Sequence, residues 1–259
     1  MSPSMLVSLA ILAASTAPPP DLPPCPTAED APDLVKLLTR QELAQQGNSS
    51  VLVMKMSIKT PAWSRALTMK VWSKGRDLAL VRVLDGGPRE TGMMTLKREK
   101  QLWNWLPQAG RVMKLPSGML GDSWLGSDFT NDDLVHGSSM ARDFDSRVTG
   151  LGEEEGRKVW RLTLVPRKDA VVVWGKIELD VDRQSCVALS TRFFDEEGKL
   201  VRTMAASGLK QLGWRTFATK LTVTPQEAGR QTVIDYGELE FDVPIPDDTF
   251  SINRLQQGR

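Results

Sequence analysis

Reactive side chains are scarce in this chain. Its 259 residues include one histidine, His136, one tyrosine, and two cysteines, Cys25 and Cys186. With so little histidine, catalytic triads, histidine–cysteine dyads and the usual zinc sets are excluded or nearly so. Charge of one sign is lacking too. Lys and Arg number 33 against 32 Asp and Glu, and binding to nucleic acid needs a basic surplus gathered on one face. No GxSxG, P-loop or dinucleotide fingerprint is present. Asp122, Asp128, Asp132 and Asp133 fit no EF-hand spacing, and capping and turns explain them. The acidic runs at 153–155 and 196–197 lie beside glycines and read as solvated turns. No catalytic residue, cofactor or metal is expected.

Long apolar runs are also missing, with one exception. Residues 5–14, MLVSLAILAA, form an apolar run with small residues after it, the pattern of a signal-peptide core, so residues 1–17 read as a signal peptide. Nothing later approaches the ~20 apolar residues of a membrane helix, so an exported, soluble chain is expected. Residues 18–26 hold six prolines and begin an extended linker, taken as residues 18–29. Cysteines of an exported chain could pair. With Cys25 in this tail, however, no structural disulfide is expected, and the two prolines before it argue against lipid attachment.

What the chain does have is methionine, tryptophan and alternation. Eleven methionines and eight tryptophans suit either a ligand cavity or a loose core, because methionine adapts to irregular partners. Residues 32–46 predict a helix with Leu34, Leu37, Leu38 and Leu43 on one stripe. Period two then takes over. Leu52, Met54, Met56 and Ile58 alternate with polar residues, as do Leu67, Met69 and Val71, which predicts a hairpin with one methionine-rich face. Further strands are predicted at 78–84, 93–97, 101–106, 111–115, 143–150, 159–165, 171–181, 186–194, 200–206, 214–224 and 232–241. About a dozen strands on short turns make one antiparallel, up-and-down sheet, and a sheet of that size curls on itself.

One stretch breaks the alternation. Residues 114–134, KLPSGMLGDSWLGSDFTNDDL, pair a helix-sized apolar half with a polar half that caps and turns. It reads either as a lid over the sheet or as a connection filling an ordinary core. In the lid reading Met119, Leu120, Trp124 and Leu125 pack into the mouth of the sheet, while Asp128, Thr130, Asn131 and Asp132 hold the base by capping bonds. Trp124→Ala should then alter ligand binding more than folding. With Lys55, Ser57, Lys59 and Lys70 pointing out, Met54, Met56, Leu67 and Met69 point in. Carried onward, the same phase places Met94 and Leu96 inside, with Trp103 and Trp105 if Asn104 faces water. These twelve apolar residues are the candidate ligand-binding set.

The ordered segments MKMSIKTPAWSRALTMKVWSKGRDLALVRVL, residues 92–97, LWNWLP, RVMKLP, SWLGSDFTNDDL and PIPDDTFS resemble the outer-membrane lipoprotein-sorting proteins of the LolA-like superfamily. The resemblance runs from Val51 to near the C-terminus. It implies a mainly β, LolA/LolB-like incomplete barrel over residues 30–259, with an N-terminal helix and a helical lid inserted midway. It further implies a monomeric periplasmic carrier whose cavity takes acyl chains of lipoproteins or lipids on their way to the outer membrane. An inner-membrane transporter of ABC or RND type would be its partner. The alternative is an accessory subunit docked on such a transporter, its cavity filled by its own side chains.

Overall fold

The computed structural model describes residues 25–26, 32–136, 140–170 and 172–257. The expected signal peptide and all of the linker except Cys25 and Pro26 lie outside the described residues.

Helix α1, Leu34–Gln46, starts where Asp33 accepts a hydrogen bond from the Lys36 amide at 3.1 Å. It stops at Gly47, whose φ of 65° no β-carbon would favour. Six strands follow: β1 Ser49–Lys59, β2 Ser64–Lys74, β3 Leu78–Asp85, β4 Met94–Arg98, β5 Gln101–Leu106 and β6 Arg111–Lys114. After an insert come seven more: β7 Phe144–Glu154, β8 Arg157–Pro166, β9 Lys176–Asp182, β10 Ala188–Phe194, β11 Leu200–Leu212, β12 Arg215–Pro225 and β13 Gln231–Phe241. The expected strand at 171–181 begins only at Lys176, and Val171 lies outside the described residues.

All thirteen strands join one antiparallel sheet in the order β6-β5-β4-β3-β2-β1-β13-β12-β11-β10-β9-β8-β7. The expected open, curled sheet is there, but it is two meanders rather than one. The chain enters at the centre, walks to the β6 edge, crosses to the β7 edge and walks back to pair β13 with β1. The crossing, residues 115–136 and 140–143 as described, contains nearly all of the stretch at 114–134 that broke the alternation, and it carries the short helices α2, Asn131–His136, and α3, Met140–Asp143. It must span from one edge of the sheet to the other, and so it lies over the inner face.

Three larger apolar clusters hold these layers together, beside a small one of Val159, Val187 and Leu189. Leu37 and Leu38 of α1 pack with Leu162, Leu164, Ile177 and Leu179 of β8 and β9. Trp124 of the crossing packs with Met54, Met56, Leu67, Met69 and Ile234. The third cluster is on the opposite face. The 3-10 turn Asp247–Phe250 and helix α4, Ile252–Gln256, lay Phe250 and Leu255 against Leu80, Met94 and Leu96.

Cys25 and Cys186 form a disulfide with 5.9 Å between their α-carbons, a separation that such a bond requires. This overturns the expectation that none would form. Cys186 lies in the connection between β9 and β10, and Cys25 packs against the cluster that this connection shares with α1. Reduction, or Cys25→Ser, is expected to lower stability by about 2–4 kcal/mol. Urea melts with and without dithiothreitol measure this directly. Coincident melts would mean that the bond constrains nothing.

Candidate functional site

The crossing strand-to-strand connection does not fill the space that it covers. Between it and the inner face lies a cavity of about 410 Å³, within the range of small-molecule sites. Both meanders contribute walls. Leu52, Met54, Val71 and Val81 come from the first, Ile177, Phe193, Met204, Phe217 and Tyr236 from the second, and Trp124, Phe129 and Leu134 from the crossing.

The crossing is placed by a series of specific contacts. After Trp124 the backbone reverses through two left-handed residues, Leu125 at φ 52° and Gly126 at φ 69°. The turn is tied by Ser127, whose amide and hydroxyl both donate to the Trp124 carbonyl, at 3.0 and 2.7 Å. The Trp124 ring is buried, and its Nε1 donates to Thr95 Oγ1 of β4 at 3.3 Å. Asp128 reaches β13. Its carboxylate accepts from Thr232 Oγ1 at 2.7 Å and Arg230 Nε at 3.0 Å, and its amide donates back to Thr232 Oγ1 at 3.0 Å.

Helix α2, Asn131–His136, opens with a capping box. The Thr130 amide donates to Asp133 Oδ2 at 2.7 Å and the Asp133 amide to Thr130 Oγ1 at 3.2 Å. Arg202 of β11 clamps the same helix. Its Nη1 donates to Asp133 Oδ2 at 2.7 Å and to the Asp128 carbonyl at 2.9 Å, and its Nη2 pairs with Asp133 Oδ1. The guanidinium stacks over Trp174 and Phe193, 4.7 and 4.6 Å from their ring centroids. The connection is therefore bolted to β4, β13 and β11 in turn. Asp128 was expected to serve the local turn, and it holds the sheet instead.

The twelve candidate residues divide four ways. Met54 and Trp124 line the cavity. Met56, Leu67 and Met69 share that inner face but lie in the packed cluster beneath Trp124, with Leu125 at its margin. Met94, Leu96, Trp103 and Trp105 are on the outer face, against α4 and the turn before it. Their phase is inverted because the C-terminal segment makes the outer face apolar as well. Register confirms the inversion: Leu96 pairs with Leu80, whereas Thr95 pairs with the inward Val81. Asn104 accordingly turns inward, its Oδ1 accepting from Thr95 Oγ1 at 2.8 Å. Met119 is 40% exposed and Leu120 half-buried, so neither plugs the mouth.

Pattern reading missed the walls from the second meander, Phe193, Phe217 and Tyr236, although the alternation in β9, β10 and β13 could have found them. It also missed Lys97, a buried cavity residue whose type reads as solvent-facing. Burial shifts both polar tips. The Tyr236 hydroxyl is pushed up to about 12 and the Lys97 ammonium down to about 8. Among the described residues no group of three or more potential metal ligands occurs, and no helix is long and apolar enough to cross a membrane.

A protein-family model described as "Uncharacterized protein" matches residues 75–257. No curated protein matches the chain. Among solved structures, a domain named for outer-membrane lipoprotein sorting from Vibrio parahaemolyticus is 22% identical, with a TM-score of 0.75 over 86% of this chain and 97% of that one. A DUF1329 family protein from Desulfovibrio piger is 21% identical, with a TM-score of 0.78 over 85% of this chain and 97% of that one. A LolA superfamily protein from Nitrosomonas europaea is 18% identical, with a TM-score of 0.71 over 86% of this chain and all of the other, 100%. At such identities the likeness is one of fold.

Proposed function

The chain belongs to the family whose model spans residues 75–257 and has the LolA-superfamily fold, and from that premise we propose that it is a non-enzymatic periplasmic carrier. Its cargo is the acyl chains of lipoproteins or lipids, received in the apolar cavity and moved towards the outer membrane. An inner-membrane transporter of ABC or RND type would load it.

The observation that carries this reading is the open cavity of about 410 Å³ beneath the crossing. Apolar walls cost little to leave dry and gain about 25 cal/mol for every Å² that a hydrocarbon chain covers. An accessory subunit filled by its own side chains would need no such space. The polar groups nearby do structural tasks: Asp128 and Asp133 anchor the crossing through Arg230 and Arg202.

Native mass spectrometry of protein drawn from the periplasm of its host is the test. Acyl lipid is expected to travel with the folded protein and to leave on denaturation. Protein that is free of lipid, and that also takes up none from detergent-solubilised membranes, would sink the carrier reading.

A further inference from the structure

One cation in the cavity, Lys97, has no ion-pair partner among the described residues, and of the carboxylates that line the same cavity Asp133 is engaged by Arg202. On the inner face of the first meander Ser50 pairs with Ser73, Ser73 with Ala79 and Ala79 with Lys97, so the four make one row across β1–β4. The next row is Leu52, Val71, Val81 and Thr95, and the one beyond it contains Met54, Met69 and Val83. Successive rows are about 6.6 Å apart, two residues along a strand. The inner face is thus graded from a polar rim to an apolar floor.

The polar neighbours of Lys97 at the rim are paired. The Ser50 and Ser73 hydroxyls bond to each other at 2.7 Å, and Arg76 is paired with Glu42. Lys97 is different. It is 8% exposed and lines the cavity, yet it makes no hydrogen bond or ion pair with any described residue. Asp77 and Arg142 act on it only through space, with opposite signs. Burial lowers its ammonium to about 8, which leaves it protonated at neutral pH. A buried charge without a partner is costly, and a charge held that way in a ligand cavity marks where a ligand's own charge belongs.

We propose that Lys97 receives the anionic head of a single-chain amphiphile, carboxylate or phosphate, while the hydrocarbon runs over Leu52, Val71 and Val81 towards Met54. This deepens the carrier reading and rests on it. It also narrows the cargo. The acyl chains of a lipoprotein are held in ester and amide linkages with no free carboxylate or phosphate beside them, so the cavity favours a free fatty acid or a lysophospholipid with an anionic phosphate.

The test uses palmitate labelled with a fluorophore at its methyl end, beside the methyl ester of the same compound. Each is titrated into the full chain, Lys97→Met and Lys97→Arg, with a urea melt for every variant. The wild-type protein is expected to bind the acid about tenfold more tightly than the ester, a difference of about 1.4 kcal/mol. Lys97→Met should bring the acid to the ester's affinity and leave the ester unchanged. Lys97→Arg keeps the charge and should keep the preference, which preserves the readout if the methionine variant folds poorly. Unlabelled palmitate and lysophosphatidate, set against hexadecanol, then show which anionic head competes. Unchanged preference in Lys97→Met, or equal loss of acid and ester, overturns the role of Lys97 and leaves the carrier reading standing. Failure of both probes to bind the wild-type protein overturns the two together.

Discussion

Replacing Arg202 by methionine is expected to lower stability by about 3–5 kcal/mol, the range for removing one partner of a buried ion pair. The Arg202 side chain is 3% exposed and that of Asp133 12%. Methionine keeps the apolar stem against Trp174 and Phe193 but leaves the Asp133 carboxylate with only the two Thr130 donors. The Asp128 carbonyl loses its guanidinium donor as well. Adding Asp133→Asn removes the orphaned charge, so the double variant should recover part of the loss, and the coupling between adjacent sites runs to about 0.5–3 kcal/mol. Urea midpoints measure both. Hydrogen exchange should show α2 opening first while β2 and β3 stay protected. A loss below about 1 kcal/mol, the level of an exposed pair, would show that the clamp carries no strain-free burden at all and that the crossing is held elsewhere.

Trp124→Ala is expected to cost a further about 3–5 kcal/mol, as large-to-small changes of aromatic core residues do. The ring is 4% exposed and meets Met54, Met56, Leu67 and Met69, and truncation also strips Thr95 of its indole donor. Sequence pattern led to the opposite order, with binding disturbed more than folding. The burial of the ring reverses it. Because Trp124 also lines the cavity, the variant should enlarge the site and still bind acyl probes once it is folded at low temperature. Paired urea melts and labelled-palmitate titrations decide the matter: near wild-type stability with abolished binding would restore the picture of a movable lid.

Much of the fold was legible because one period repeats over most of the chain. Alternation in β1 and β2 placed Met54, Met56, Leu67 and Met69 on the inner face, and the turn signals gave nearly every strand. The site was less legible, for a physical reason. Alternation tells which residues share a face, never which face is the interior, and it gives a false answer where both faces are covered. Met94, Leu96, Trp103 and Trp105 were assigned inward on that basis, although α4 and the turn before it supply their partners from far along the chain. Lys97 escaped notice because its residue type speaks for solvent and only register places it beside Ala79. The disulfide was hidden by distance, since nothing local to Cys25 points to Cys186.

The strand order also dictates when each part can be completed. Within each meander every strand pairs with a neighbour in sequence, and such contacts close small loops quickly. The seam joins Ser50 to Phe241, so its pairing waits until the whole sheet has been made, at the entropy of a very long loop. Helix α1 waits with it. Leu37 and Leu38 emerge ahead of all thirteen strands, yet the surface that buries them belongs to β8 and β9. During synthesis, the first apolar helix among the described residues is therefore a sticky, unpartnered segment, open to misassociation until the second meander arrives to cover it.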